Sequence, residues 1–73
     1  MLLTKTDLDP RVHRTRELLG QAFMNLLSET EFEKVTVQDI TTRAGVNRAT
    51  FYAHFEDKYA LMSYLLRNQF QIM

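Results

Sequence analysis

Polar side chains that donate and accept hydrogen bonds are concentrated in one short stretch of the chain. Five residues carry them: Asn47, Arg48, Thr50, Tyr52 and His54. The same stretch contains Phe51 and Phe55, whose spacing places them, with Val46, on the inward side of a helix. Amide, guanidinium, hydroxyl, phenol and imidazole groups on the opposite side are those that contact phosphates and base edges. The spacing therefore predicts recognition of a nucleic acid.

The residue types needed for enzymatic chemistry do not occur in useful patterns. The chain has two histidines, His13 and His54, and no cysteine, and it contains no His-x-x-x-His or Glu-x-x-His spacing. Ser28 and Ser63 lack the strand-turn-helix context of a nucleophile, and no glycine-rich phosphate loop is present. We expect neither an enzyme nor a bound metal or cofactor.

Two short helices must hold the polar stretch in place. Thr36 and Asp39 have the spacing of a capping box, which begins a helix over about residues 37–44. Gly45 can adopt the left-handed conformation that ends this helix, and Asn47 is a favoured cap for a second helix over about residues 48–54. Two short helices joined at a glycine are typical of a helix-turn-helix.

The rest of the chain predicts two further helices and hence an all-α, three-helix bundle with the start of a fourth helix. Pro10 begins an amphipathic helix over about 10–29, in which Gly20 is either a tolerated weakness or a close helix crossing. The fourth helix, about 57–71, has more apolar surface than this small domain covers. We expect a flexible leader at 1–9, the DNA-binding domain at 10–58, and at 59–73 the start of a connecting helix.

Charge is balanced overall but unevenly distributed. The 73 residues contain nine Lys and Arg and nine Asp and Glu. Residues 10–28 and 34–48 each carry two net positive charges, whereas residues 29–33 carry three negative ones. A separated charge distribution is compatible with DNA on one side, with weak affinity for a single copy. The arginines of the first helix (Arg11, Arg14, Arg16) are interpreted as a solvated face.

Nothing in the chain predicts secretion or membrane insertion. No apolar run exceeds four residues, and the N-terminus lacks the apolar segment of a signal peptide. The absence of cysteine fits a reducing compartment, so we expect a cytoplasmic protein without a membrane partner.

The run TVQDITTRAGVNRATFYAHFEDKYAL resembles the N-terminal DNA-binding domain of the tetracycline repressor (TetR) family of bacterial transcription regulators. The similarity extends over about residues 10–70. It rests on the capped second helix, the Ala44-Gly45-Val46 turn, and the spacing of Thr50-Phe51-Tyr52, His54-Phe55 and Lys58. The resemblance implies a larger C-terminal helical domain, absent from this chain, that forms a homodimer and binds a small-molecule inducer. It also implies a double-stranded DNA operator with an inverted repeat and, for the whole protein, repression relieved by the inducer.

The resemblance assigns roles by position. Base contacts are implied for Gln38, Arg48 and Thr50. Phosphate contacts are implied for Thr36, Asn47, Tyr52, His54 and Lys58. His54 has a second interpretation, as a boundary residue whose polar atoms are satisfied within the fold.

The chain departs from the family pattern at three positions. Glu31 stands where a glycine often ends the first helix, which predicts a strained or frayed end. Thr41 replaces an alanine at the contact between the two short helices of the helix-turn-helix. Either this contact loosens, or the Thr41 hydroxyl forms a hydrogen bond within its own helix. Ala53 limits contact at that position to a thymine methyl.

An alternative function from another class is a helical protein-interaction module that binds through the apolar fourth helix. Salt-dependent binding to duplex DNA separates the two, because an interaction module has no counterions to release from DNA.

Overall fold

The computed structural model describes the backbone of residues 10–70 and the side chains of residues 10–67. Its four α-helices are α1 (Pro10–Leu27), α2 (Val37–Ala44), α3 (Arg48–His54) and α4 (Lys58–Phe70), and Phe32–Lys34 forms a 3-10 turn before α2. No strand occurs within the described range. The all-α class and the helix-turn-helix are confirmed. The predicted leader at 1–9 and residues 71–73 lie outside the described residues.

The first helix ends at Leu27, two residues earlier than expected. The amides of Glu29 and Thr30 both donate to the carbonyl of Leu26, at 2.9 Å each, which tightens the chain into a turn. The Ser28 hydroxyl adds a 2.7 Å bond to the Asn25 carbonyl. Because these bonds satisfy the last carbonyls, the helix ends without a left-handed residue, and Glu31 has an ordinary extended backbone with φ −76° and ψ 149°. The strain expected near Glu31 was wrong, and fraying of the helix end stays a prediction.

The helix-turn-helix has the local geometry that its sequence predicts. Thr36 accepts from the Asp39 amide at 3.0 Å, and the Asp39 carboxylate accepts from the Thr36 amide at 3.1 Å, which completes the capping box. Gly45 has φ 78°, and its amide bonds back to the carbonyls of Thr41 and Thr42. Among the described residues it is the position with positive φ. This conformation lets the chain reverse within one residue.

One hydrophobic core joins all four helices. Its fully buried large side chains include Leu19 and Phe23 of α1, Ile40 of α2, Phe51 of α3 and Leu61 of α4. Burying one such side chain contributes roughly 1.5–3 kcal/mol, so these residues fix the angle at which α3 is presented.

Thr41 lies in this core without disturbing it. Its side chain is 2% exposed, and its hydroxyl donates to the Gln38 carbonyl at 3.2 Å. The second of the two expected outcomes is therefore correct: a bond within α2 satisfies the hydroxyl at the helix contact.

Two long-range contacts hold α1 to its neighbours. A Cβ on Gly20 would lie 2.9 Å from the Leu65 Cδ2 atom, so Gly20 allows α1 and α4 to approach closely. This side-chain contact favours the interpretation of Gly20 as a helix crossing. Beyond the end of α1, Glu29 pairs with Arg43 in the last turn of α2. This pairing lowers the pKa of Glu29 through the Arg43 hydrogen bonds and then through its charge.

The fourth helix begins with its own cap. The Asp57 carboxylate accepts from the Ala60 amide at 2.9 Å, so Lys58 is the first residue of α4. Of its apolar side chains, Tyr59 and Leu66 are 61% and 49% exposed. Within the described residues, no helix is both long and apolar enough to cross a bilayer.

Candidate nucleic-acid interface

The beginning of α3 is held by a side chain that keeps hydrogen-bonding capacity to spare. Asn47 accepts from the Thr50 amide at 2.8 Å through its side-chain oxygen. Its amide nitrogen, which carries two protons, has no partner among the described residues. Asn47 can therefore cap α3 and donate to an external acceptor at the same time.

The outward side of α3 follows from which residues are buried. Phe51 is fully buried and Phe55 is 7% exposed, and they point toward the core. Arg48 and Tyr52, one turn apart, lie on one flank of the outward side and are exposed. The Arg48 guanidinium forms no hydrogen bond or ion pair with residues 10–67, whose side chains the structure describes. An unpaired cation at the first turn of α3 is available to a ligand.

The other flank of α3 carries Thr50 and His54, and both are half-buried. Arg48 and Thr50 are thus on nearly opposite sides of the helix axis, because residues two apart are about 200° apart. Both lie in the first turn of α3, and a recognition helix contacts base edges mainly with its N-terminal residues. Their shared position at the helix end, not a shared face, brings them together.

Sequence reasoning missed Ala49 as a residue of this surface. Ala49 and Ala53 are exposed and one turn apart, at the centre of the outward side of α3. The helical period counted from buried Phe51 and Phe55 could have identified Ala49. Two methyl groups there leave room for close approach to a groove and can contact thymine methyls.

The residues of α2 keep part of their hydrogen-bonding capacity. The Thr36 hydroxyl accepts from the Asp39 amide, so its own proton remains available. Gln38 donates to the Thr42 hydroxyl at 3.0 Å, which leaves its carbonyl oxygen and one amide proton. Both side chains are exposed, as contact with DNA requires.

His54 has a partner that the sequence did not suggest. The Arg16 Nε–H donates to the His54 Nδ1 at 3.4 Å, and the Arg16 guanidinium lies 5.9 Å from the centre of the Tyr64 ring. Burial and then the Arg16 charge lower the pKa of His54. The neutral imidazole therefore carries its proton on Nε2, the nitrogen that can donate outward.

This contact corrects the interpretation of Arg16. The sequence placed it with Arg11 and Arg14 on a solvated face, whereas its side chain is half-buried against α3 and α4. The helical period of α1 alone cannot show this, because the partners come from elements far along the chain.

Lys58 lies apart from the surface of α3. Its ammonium donates to the backbone carbonyls of Phe32 and Val35 at 2.7 Å each and to that of Glu33 at 3.3 Å. Val35 precedes Thr36, so Lys58 and Thr36 meet at the N-terminal end of α2. The predicted phosphate residues thus lie in two places: Thr36 and Lys58 near the beginning of α2, and Asn47, Tyr52 and His54 along α3.

The fold and these two helix beginnings define a helix-turn-helix module of the DNA-binding class. Residues 15–65 match the sequence model of the family described as bacterial regulatory proteins, tetR family. Because this match covers more than half of the chain, the chain belongs to the TetR family of transcription regulators, and the described helices form its DNA-binding headpiece.

Curated relatives agree with this assignment. The chain is 39% identical over 61 residues to the uncharacterized HTH-type transcriptional regulator YxbF of Bacillus subtilis, which covers 82% of this chain and 16% of that protein. It is 30% identical over 56 residues to the HTH-type dhaKLM operon transcriptional activator DhaS of Lactococcus lactis. This match covers 77% of this chain and 30% of that protein. It is 36% identical over 55 residues to the uncharacterized HTH-type transcriptional regulator YwcC of Bacillus subtilis. This match covers 75% of this chain and 25% of that protein.

The chain thus spans less than a third of the length of the curated relatives it matches. No solved structure matches it.

Proposed function

We propose that this chain reads an operator through the first turn of α3 and serves as the headpiece of a dimeric regulator. The observation that carries the proposal is the exposed Arg48 guanidinium immediately after the Asn47 cap, which has no partner among the described residues. Arg48, Thr50 and Gln38 contact base edges, for which Arg and Gln can form bidentate pairs with guanine and adenine.

Four other side chains hold phosphates: Thr36, Asn47, Tyr52 and His54. The Thr36 hydroxyl and the Asn47 amide retain protons after capping their helices, and the neutral His54 imidazole presents Nε2–H. Each phosphate held at a helix beginning also meets the positive end of the helix dipole. The phosphate contact that the sequence predicts for Lys58 would have to compete with three carbonyls for its ammonium protons.

The whole regulator is proposed to act as a homodimer on an inverted repeat. One recognition helix neutralises few phosphates, so a single headpiece binds weakly at physiological salt. Four large apolar side chains are exposed and available for contact with a dimerising domain: Leu18, Met24, Tyr59 and Leu66. A small-molecule inducer bound by that domain would release a repressor from its operator in the cytoplasm.

Activation is a second candidate for the direction of regulation. One relative, at 30% identity, is named as an operon activator. The headpiece chemistry is the same in both cases, because a recognition helix binds its site whether the regulator blocks or recruits polymerase.

A salt titration tests the operator-binding proposal. The chain and the same chain fused to an artificial dimerising helix are titrated with a palindromic duplex and with a single half-site, selected from random DNA. The fused form should prefer the palindrome, and log K should fall linearly with log salt concentration. Equal affinity for both duplexes with no salt slope would reject operator binding and favour the protein-interaction module.

A further inference from the structure

The ammonium group of Lys58 is fully used inside the fold. A lysine ammonium has three protons, and three backbone carbonyls accept from it, those of Phe32, Glu33 and Val35. Two of the distances are 2.7 Å, which is short and typical of charge-assisted hydrogen bonds. These carbonyls belong to the 3-10 turn and to the residue after it, where no regular helix supplies a full set of donors.

Two aromatic rings complete the environment of this cation. The Lys58 Nζ atom lies 4.5 Å from the centre of the Phe32 ring and 5.9 Å from that of Tyr59. The two rings themselves meet edge to face, 5.2 Å apart. The helix dipole disfavours a cation at the first residue of α4, and the carbonyls and ring faces offset this cost.

The contacts link the beginning of α4 to the beginning of α2. Val35 is 1% exposed and is followed directly by Thr36, the cap of α2. Moving α4 relative to this segment would break bonds to the residue that sets the position of the Thr36 hydroxyl.

We propose that Lys58 is a positioning residue, which holds the capped N-terminus of α2 at a fixed place relative to α4 and does not itself neutralise a phosphate. The inference rests on the proposed function of Thr36 as a phosphate contact.

The two roles of Lys58 predict different salt dependence. A phosphate contact releases counterions, and its loss reduces the slope of log K against log salt concentration by about 0.9. A positioning residue keeps its ammonium on carbonyls of the fold and contacts no phosphate, so its loss lowers affinity without changing the slope. The positioning role also predicts loss of folding stability, since removal of the ammonium takes a short hydrogen bond from the carbonyl of buried Val35.

The experiment compares three variants of the 73-residue chain with the parent. Lys58→Met removes the ammonium and keeps an apolar stem of similar length. Lys58→Arg keeps the charge, but a planar guanidinium cannot direct three N–H groups to the same carbonyls. Lys34→Met removes a cation from an exposed side chain of the neighbouring turn and is the matched control. Unfolding midpoints in urea, NMR shifts of the Thr36 and Asp39 amides, and salt slopes on a selected duplex are measured.

We expect Lys58→Met and Lys58→Arg both to lower the unfolding midpoint in urea and the affinity for DNA. Both should also shift the NMR signals of the Thr36 and Asp39 amides and retain the salt slope of the parent. Lys34→Met should leave the midpoint and those two amide shifts near the parent. A slope reduced by about 0.9 in Lys58→Met, or parent affinity and stability in Lys58→Arg, would overturn the proposal.

If Lys58→Met fails to fold, two other measurements still test whether Lys58 is a positioning residue. They are the behaviour of Lys58→Arg and the exchange rate of the Lys58 ammonium protons in the parent. These protons should exchange more slowly than those of Lys34, and equal rates would overturn the proposal. If the parent shows no salt-dependent DNA binding, the proposed function fails, while the amide shifts and midpoints still test whether Lys58 positions Thr36.

Discussion

The side-chain oxygen of Asn47 lies 2.8 Å from the amide nitrogen of Thr50, so the cap of α3 uses the acceptor of Asn47 and leaves its donor outward. Capping and the proposed phosphate contact therefore depend on different atoms of one side chain. A substitution that keeps the acceptor and changes the donor can separate the two roles.

We expect Asn47→Ala to lower the free energy of unfolding by about 1 kcal/mol, because the cap bond is lost. Asn47→Asp should retain stability, since a carboxylate also caps and interacts favourably with the helix dipole. The same variant should bind DNA more weakly than the parent, because its charge repels phosphate. Urea unfolding and DNA titration check both effects, and parent-level DNA affinity in Asn47→Asp would remove the phosphate contact.

Arg48→Ala should relax sequence preference at one base pair. A lost bidentate base contact costs about 1–3 kcal/mol of discrimination against the wrong base. Selection from random DNA with the dimeric fusion measures the preferred site. Tyr52→Phe serves as the comparison, because loss of a phosphate contact should weaken binding to all sequences alike. An unchanged selected site in Arg48→Ala would contradict base reading by this residue.

Folding stability should fall as His54 becomes protonated. Burial and the Arg16 charge lower its pKa in the folded protein, whereas the unfolded chain has a pKa of about 6.5. The unfolded state therefore binds a proton more readily below pH 6.5. The stability associated with neutral His54 is fully present above that pH and is lost as pH falls through the folded pKa.

His54→Asn provides the check, because its side-chain oxygen can accept from Arg16 and does not titrate. Unfolding free energies measured from pH 7.5 to pH 5 should depend less on pH in this variant than in the parent. Identical pH dependence of the two proteins would show that His54 is not the responsible group.

Gly20→Ala should change stability little, with a net gain below about 1 kcal/mol. Alanine favours the helix by that amount, but its Cβ would lie 2.9 Å from the Leu65 Cδ2 atom. Leu65 is half-buried and its methyl end can rotate away. Gly20→Leu, in contrast, should lower stability by forcing α1 and α4 apart. Thermal unfolding of both variants tests this, and a large loss in Gly20→Ala would mean that Leu65 cannot move.

Local features of the fold were predictable because they depend on residues close together in the chain. The capping box of Thr36 and Asp39, the left-handed Gly45 and the Asn47 cap each need a partner within a few residues. The inward positions of Phe51 and Phe55 follow from the helical period. These features fixed the boundaries of α2 and α3 and indicated which side of α3 faces outward.

Contacts between elements were decided by the tertiary structure. Arg16 and His54 are 38 positions apart, and Lys58 reaches carbonyls 23 to 26 positions earlier. No period or cap within one helix specifies such pairs, because they depend on how the buried side chains of several helices set the distances between them. The sequence by itself thus determined the helices, the turn and the residues displayed on α3. Only the packed structure determined the partners of Arg16 and Lys58, because a polar atom bonds to whatever the core places within about 3 Å of it.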